Sequence, residues 1–217
     1  MNIGIMSFAH IHATSYASAI QRIPDTKLTA IYDTDVKRGK EASVQYEVPF
    51  FDDMDLFLAE NIDVVLVCSE NVLHKEMVIA AAKAKKHILC EKPIATNVED
   101  AKEMIEACEE NGVHLSIAYP VRYSAPIHDL KAAIDAGDLG EIIAIRSTNR
   151  GQNPGGWFVD EQLAGGGAVL DHTVHMVDIM RWYMNSEAKE ITAFAKNYFT
   201  ELKKNDTGIN KNIFNKY

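Results

Sequence analysis

The 217-residue sequence predicts an α/β protein: a parallel sheet wound on both faces by helices over residues 1–119, then a second, smaller domain over 120–217. Three observations carry this reading. Short β-branched runs alternate with longer amphipathic stretches across residues 1–118. The apolar run His87-Ile88-Leu89-Cys90 closes on Glu91-Lys92-Pro93, which puts a cation at the carboxyl end of a strand, where parallel sheets bind their ligands. Some distance on, Gly165-Gly166-Gly167 introduces Asp171, His175 and Asp178, a polar set that an ordinary core has no reason to carry.

Taken in order, residues 3–7, 28–32, 64–69, 88–90 and 115–118 read as strands, and 12–22, 37–46, 74–83 and 98–110 as helices. Strict alternation of the two implies parallel pairing, because each helical crossover returns the chain to the same end of the sheet. The run Asp63-Val64-Val65-Leu66-Val67, apolar at every position after the first, fits a strand covered on both sides. At Tyr119-Pro120 the alternation stops. A helix is expected over 125–136, ending at Gly137, then a strand over 142–147, a Gly-rich loop over 151–156, a helix over 168–184 and a strand over 190–198. Residues 203–217 are rich in Lys and Asn, and poor order is expected there.

Composition narrows the function. A hydrophobic share of 47% with 24% charged residues is that of a soluble globular protein. With 22 Lys and Arg against 31 Asp and Glu, the net charge of −9 offers no basic footprint for a phosphate backbone, so no nucleic-acid partner is expected. The amino terminus already reads as a strand, leaving no room for a signal peptide. No apolar stretch approaches the ~20 residues that span a bilayer. A cytoplasmic protein with no membrane partner is the expectation. Cys68, Cys90 and Cys108 are odd in number, widely spaced and without a CxxC pair, which argues for buried free thiols and against disulfides or a metal site.

A strand, a tight turn, a helix and a second strand ending in an acid is the layout of a dinucleotide site. In the turn Ser7-Phe8-Ala9-His10-Ile11-His12, Ser7 and Ala9 stand where G-x-G-x-x-G has its first two glycines. Both are small enough to let the backbone approach a pyrophosphate beside a helix start. By itself this segment reads equally well as an ordinary βα turn. Asp33 closes the second strand, where a carboxylate accepts hydrogen bonds from ribose hydroxyls and repels a 2'-phosphate. NAD is favoured, Arg38 keeps NADP as the alternative, and a turn role shared with Asp35 is the competing reading of Asp33. In the 168–184 helix, Asp171, His175, Asp178 and Trp182 fall on one stripe, with Leu170, Val174 and Val177 alongside. The competing reading there is an exposed polar face; a stripe of acids and histidine beside apolar residues is costly unless paired or used.

Together, Asp33, Ser69-Glu70-Asn71 with His74, Glu91-Lys92-Pro93, Arg122, and Gly165-Gly166-Gly167 leading to Asp171, His175 and Asp178 resemble the Gfo/Idh/MocA oxidoreductase family, to about residue 198. The resemblance implies an N-terminal Rossmann domain, a doubly wound parallel sheet, followed by an incomplete α+β domain with a mostly antiparallel sheet. It implies NAD or NADP held by Ser7, Phe8, Ala9, His10, Ile11, Asp33, Ser69, Asn71, His74, Glu91 and Lys92. Lys92 would lie between nicotinamide and substrate with the Lys92-Pro93 bond cis, His175 would be the general acid/base, and Asp171 would bind or orient substrate. Tyr119, Arg122, Asn149 and Arg150 would be further contacts to a sugar or cyclic polyol whose secondary hydroxyl is oxidised. Such chemistry suits an imidazole that moves a proton near neutral pH and a cation that stabilises charge on the reacting oxygen. An impaired binding remnant of the same fold, or an NAD-dependent glycoside hydrolase, remains the alternative. The sequence departs from the family at Ser7 and Ala9, at Glu70 where proline is common, and in length. A truncated member is therefore expected, exposing a sheet edge and apolar face that favour association into a homo-oligomer.

Overall fold

In the computed structural model, residues 1–149, 151, 154–197 and 207–214 are described, and the chain divides into two compact units, Met1–Ala118 and Tyr119–Tyr217. The first is built on six parallel strands: β1 (Asn2–Met6), β2 (Lys27–Tyr32), β3 (Phe50–Phe51), β4 (Val64–Val67), β5 (His87–Glu91) and β6 (Leu115–Ala118). Their spatial order is β3-β2-β1-β4-β5-β6. The winding direction reverses at β1, and a crevice opens beyond the carboxyl ends of the strands on either side of such a reversal. In register, Met6 lies beside both Tyr32 and Val67, and Val67 beside Cys90. The residues that follow these partners, Ser7, Asp33, Cys68 and Glu91, therefore share one edge of the sheet.

Side chains alternate across a strand, so β1 feeds two cores. Ile3 and Ile5 join Ala13, Ala17, Ile31, Ala42 and Leu66 on one face. Met6 joins Phe57, Val65, Val67, Met77 and Met104 on the other. The first face carries α1 (His12–Ile20) and α2 (Val36–Tyr46), and the second carries α3 (Met54–Leu58), α4 (His74–Lys83) and α5 (Val98–Asn111). Side-chain caps start α2 and α5: Asp35 accepts from the Lys37 and Arg38 amides, and Asn97 from that of Asp100. Gly39 lets α2 settle against the end of β2, since a Cβ there would meet the Phe50 ring and come within 2.9 Å of the Asp33 Cβ. That close seating brings Arg38 to Asp33. The short β3 and α3 were not foreseen from the sequence, because two to five residues carry too little periodicity. Cys68, Cys90 and Cys108 are free and buried, and no helix among the described residues is long and apolar enough to cross a membrane.

The second unit contains α6 (Ala125–Asp135), α7 (Glu161–Ala164), α8 (Ala168–Met184) and an antiparallel pair, β7 (Ala188–Lys196) and β8 (Thr207–Phe214). Two expectations are corrected. Residues 142–149 form no strand and are mostly exposed, Ile143 at 82%. A strand persists only where a neighbour takes up its backbone groups, and β7 and β8 pair with each other. Conversely, the region expected to be poorly ordered contributes β8, paired with β7 along its length. Local composition does not reveal a pairing whose partner lies in another segment. The expected strand end at Tyr198, and Gln152 and Asn153 of the Gly-rich loop, lie outside the described residues. On one face of the β7–β8 pair, Gly208 abuts Val169 of α8. On the other, Phe194, Ile209 and Ile213 are exposed.

Within this unit an ion pair ties α8 to the turn Pro120–Tyr123. Arg122 donates through Nε to Asp178 Oδ2 at 2.9 Å and through Nη2 to Oδ1. Its guanidinium lies 5.2 Å from the Trp182 ring centroid. The Tyr183 hydroxyl adds a bond to the Ile127 carbonyl at 2.9 Å. Asp178 is buried while Arg122 keeps about a third of its side chain in solvent. Removing the arginine strands a buried carboxylate, so Arg122→Ala should cost on the order of 2–3 kcal/mol in thermal or urea denaturation, somewhat below the figure for wholly buried pairs. Arg122→Lys should recover only part, because an ammonium cannot bond both oxygens in the planar fork. A wild-type midpoint in Arg122→Ala would refute this.

Candidate functional site

The carboxyl edge of the first unit gathers two polar clusters. At the end of β1 the chain turns at Ser7, whose φ of 71° lies in the left-handed region that favours glycine. The serine backbone thus follows the path open to the fingerprint glycine, and its hydroxyl compensates locally by accepting from the Ala9 amide at 3.1 Å. Asp33, fully buried at the end of β2, accepts from the Phe8 amide at 2.8 Å and the Asp35 amide at 3.0 Å. The turn role is thus present: one carboxylate ties the turn after β1 to the turn after β2. Arg38 donates to both Asp33 oxygens, at 2.8 Å from Nε and 2.6 Å from Nη2. It also reaches Ser7 Oγ at 3.1 Å and Glu70 at 3.4 Å. Ala9 and Phe8 are partly buried, His10 is buried, and Ile11 is exposed.

The second cluster surrounds Glu91, which is 1% exposed at the end of β5. Its Oε1 accepts from His12 Nδ1 at 2.9 Å and from the Tyr16 hydroxyl. Its Oε2 accepts from the Lys92 amide at 3.2 Å and lies 3.7 Å from His10 Nε2. Burial pushes the Glu91 carboxyl up, but the His12 bond, the nearby His10 and the Tyr16 bond outweigh it and hold it below the usual carboxylate range. The Tyr16 phenol moves the other way, raised by burial and then by the carboxylate beside it. His10, His12 and Glu91 offer ligand atoms within 4.8 Å of one another, the composition of a divalent-metal site. The bonding argues otherwise. His10 Nδ1 accepts the His12 amide at 3.2 Å, so in the neutral ring the proton sits on Nε2 and no lone pair faces the centre. His12 instead donates to the carboxylate, with His10 Nε2 3.7 Å away.

Lys92 follows directly, buried, in a Lys92-Pro93 bond that is cis. His74, fully buried at the start of α4, bonds the Pro93 carbonyl through Nδ1 at 2.9 Å. Burial lowers its pKa, and the Pro93 bond opposes that shift. His74 thus acts on the Lys92 loop through Pro93 rather than through surface of its own. Ser69 is buried with its hydroxyl on the Glu70 carbonyl at 3.1 Å, and Asn71 is buried in the turn Asn71–Leu73.

In the second unit α8 covers the expected span, and His175 and Asp178 are buried, which removes the exposed-polar-face reading. Asp171 is half-buried, its Oδ2 3.7 Å from His172 Nε2. The Tyr119 ring meets that of His175 edge-on at 6.4 Å. Tyr119, Leu170, Val174, Val177 and Asp178 line a shallow cleft. Arg122, expected as a sugar contact, has its guanidinium committed to Asp178. Asn149 is exposed in the irregular 142–149 segment, and Arg150 lies outside the described residues. Three participants were missed from the sequence: His12, Tyr16 and the Arg38–Glu70 contact. A signal for the first existed, because G-x-G-x-x-G counted from Ser7 puts its third glycine on His12.

Comparison with known proteins bears on the same residues. The model of the oxidoreductase family's NAD-binding Rossmann fold matches residues 1–119, and that of the GFO/IDH/MocA C-terminal domain matches 127–211. The myo-inositol 2-dehydrogenase of Thermotoga maritima is 35% identical over 195 residues, 89% of this chain and 58% of that protein. The 1,5-anhydro-D-fructose reductase of Ensifer adhaerens is 39% identical over 138 residues, 62% of this chain and 41% of that one. The NAD-binding protein of Listeria innocua superposes with a TM-score of 0.88 at 23% identity, covering 98% of this chain and 63% of the other, a likeness of fold. The chain therefore spans less than two thirds of each of these relatives. With a Rossmann sheet carrying Glu91-Lys92-Pro93 at its edge and both family models matched in sequence order, the chain belongs to the Gfo/Idh/MocA oxidoreductase family.

Proposed function

We propose that this chain is a nicotinamide-dependent oxidoreductase that moves a hydride between NAD and a secondary hydroxyl, or the matching ketone, of a sugar or cyclic polyol. The observation that carries the reading is Lys92, buried at the carboxyl edge of an NAD-binding fold on a loop held by Glu91 from one side and His74 from the other. Two features support a dinucleotide: Ser7 takes the glycine path at the first turn, and a carboxylate, Asp33, closes the second strand, as in dinucleotide-binding folds. NAD, when bound, supplies the hydride acceptor. In this reading Lys92 polarises the reacting oxygen, His175 carries the proton that leaves or joins it, and Asp171 orients the substrate. The substrate class rests on the two curated relatives, whose names specify an inositol and an anhydro-sugar.

The Arg38 contacts favour NAD over NADP. Its guanidinium is already shared between Asp33 and Glu70, so a 2'-phosphate would bring about two negative charges beside two carboxylates for one cation. In steady-state assays Asp33→Ser with Glu70→Gln should lower KM for NADP and raise it for NAD. A wild-type preference for NADP would overturn this assignment. For the chemical roles, Lys92→Ala and His175→Ala should each lower kcat by about 10²–10⁴, with the NADH dissociation constant changed only slightly. Equal loss of NADH binding in both would contradict the roles given.

The exposed apolar face of the β7–β8 pair supports self-association. Light scattering should show a smaller assembly for Phe194→Asp with Ile209→Asp than for the wild type. A wild-type chain that is monomeric at high concentration would exclude it.

A further inference from the structure

Counted from Ser7, the fingerprint spacing assigns its third glycine to position 12, and glycine is used there for close packing of helix on strand. This chain places an imidazole instead and turns it onto a buried carboxylate. A carboxylate accepts and cannot donate, so the 2.9 Å contact to Glu91 Oε1 fixes the proton of His12 on Nδ1. Nε2 is then the nitrogen with which the ring can meet a ligand, and a third of the side chain remains exposed. Among the described residues, the charged and titratable groups facing this ring are Glu91, the His10 ring at 4.4 Å between centroids and the Tyr16 ring at 6.1 Å. The turn that carries His10 and leads into His12 is the one against which a Rossmann sheet lays a dinucleotide's pyrophosphate.

We propose that the His12–Glu91 pair binds the pyrophosphate of the dinucleotide, His12 donating from Nε2 to a phosphate oxygen, in place of the backbone-only contact of a glycine turn. The proposal rests on the NAD reading above. Glu91 by itself would repel the phosphates; His12 stands between the two anions. One proton taken from solvent at Nε2 makes the ring an imidazolium bonded to carboxylate on one nitrogen and phosphate on the other. No bond other than N–H is made or broken. A lone helix start or an uncharged turn accounts for neither the buried acid nor the ring set on it.

Isothermal titration of the full chain with NADH and with ADP-ribose, in two buffers of different ionisation enthalpy, tests this. The wild type should bind both ligands with uptake of protons. His12→Ala should weaken both by about ten- to a hundredfold, the scale of a charge-assisted hydrogen bond, and should abolish the uptake. His12→Gln, which keeps a neutral donor, should regain part of the affinity and none of the uptake; it also serves if the alanine variant melts early. Undiminished affinity in both variants, or proton uptake that survives in them, overturns the proposal. Loss confined to NADH overturns it too, by moving the contact to the nicotinamide end. A wild type that binds neither ligand overturns the NAD reading with it, whereas tight wild-type binding matched by the variants overturns only the role of His12.

Discussion

A carboxylate removed from water must be satisfied by donors, and the burial of Glu91 is the constraint around which the ligand edge of the first unit is arranged. The donors come from different places in the chain: His12 and Tyr16 from one turn of α1, and the Lys92 amide from the next residue. Satisfying Glu91 therefore pins α1 to the end of β5. The same contacts set where the backbone leaves the sheet at Lys92. His74 holds the far side of that loop through Pro93. A lysine on a flexible stem gains a defined position only when its backbone is held this way.

The neighbouring cluster follows the same rule with opposite emphasis. Asp33 is also buried, yet its donors include a full cation, and that cation is shared with Glu70. Both clusters use side chains where a glycine-rich turn would use bare backbone. Ser7 supplies a hydroxyl as well as a left-handed turn, and His12 supplies a ring where helix and strand would otherwise simply touch. Charge on this edge is thus set by paired side chains rather than by bare backbone. The second unit repeats the theme in the buried Asp178 that Arg122 neutralises beside Trp182.

Much of this was legible in the chain itself. Alternation of apolar runs with amphipathic stretches located five of the six parallel strands, and the 168–184 helix matches α8. Glu91-Lys92-Pro93 and the Asp171, His175, Asp178 stripe marked the polar positions. Less legible were features whose cause lies elsewhere in the chain. The 142–149 segment has strand-like residues without a strand beside it, while β8 has an unpromising composition and a partner in β7. Arg122, expected at the substrate from the family resemblance, pairs with an acid 56 residues away that its own surroundings in the sequence do not announce.

The sequence by itself determined the fold class, the family and the placement of its polar residues at strand ends, because side-chain periodicity and strand-helix order are local properties that the backbone converts directly into a sheet edge. Tertiary structure alone decided which polar groups neutralise one another. The pairing of His12 and Tyr16 with Glu91, and of Arg38 with Asp33 and Glu70, joins residues as many as 79 positions apart. Such contacts depend on distances of a few ångströms set by how helices seat on the sheet, and no spacing along the chain encodes them.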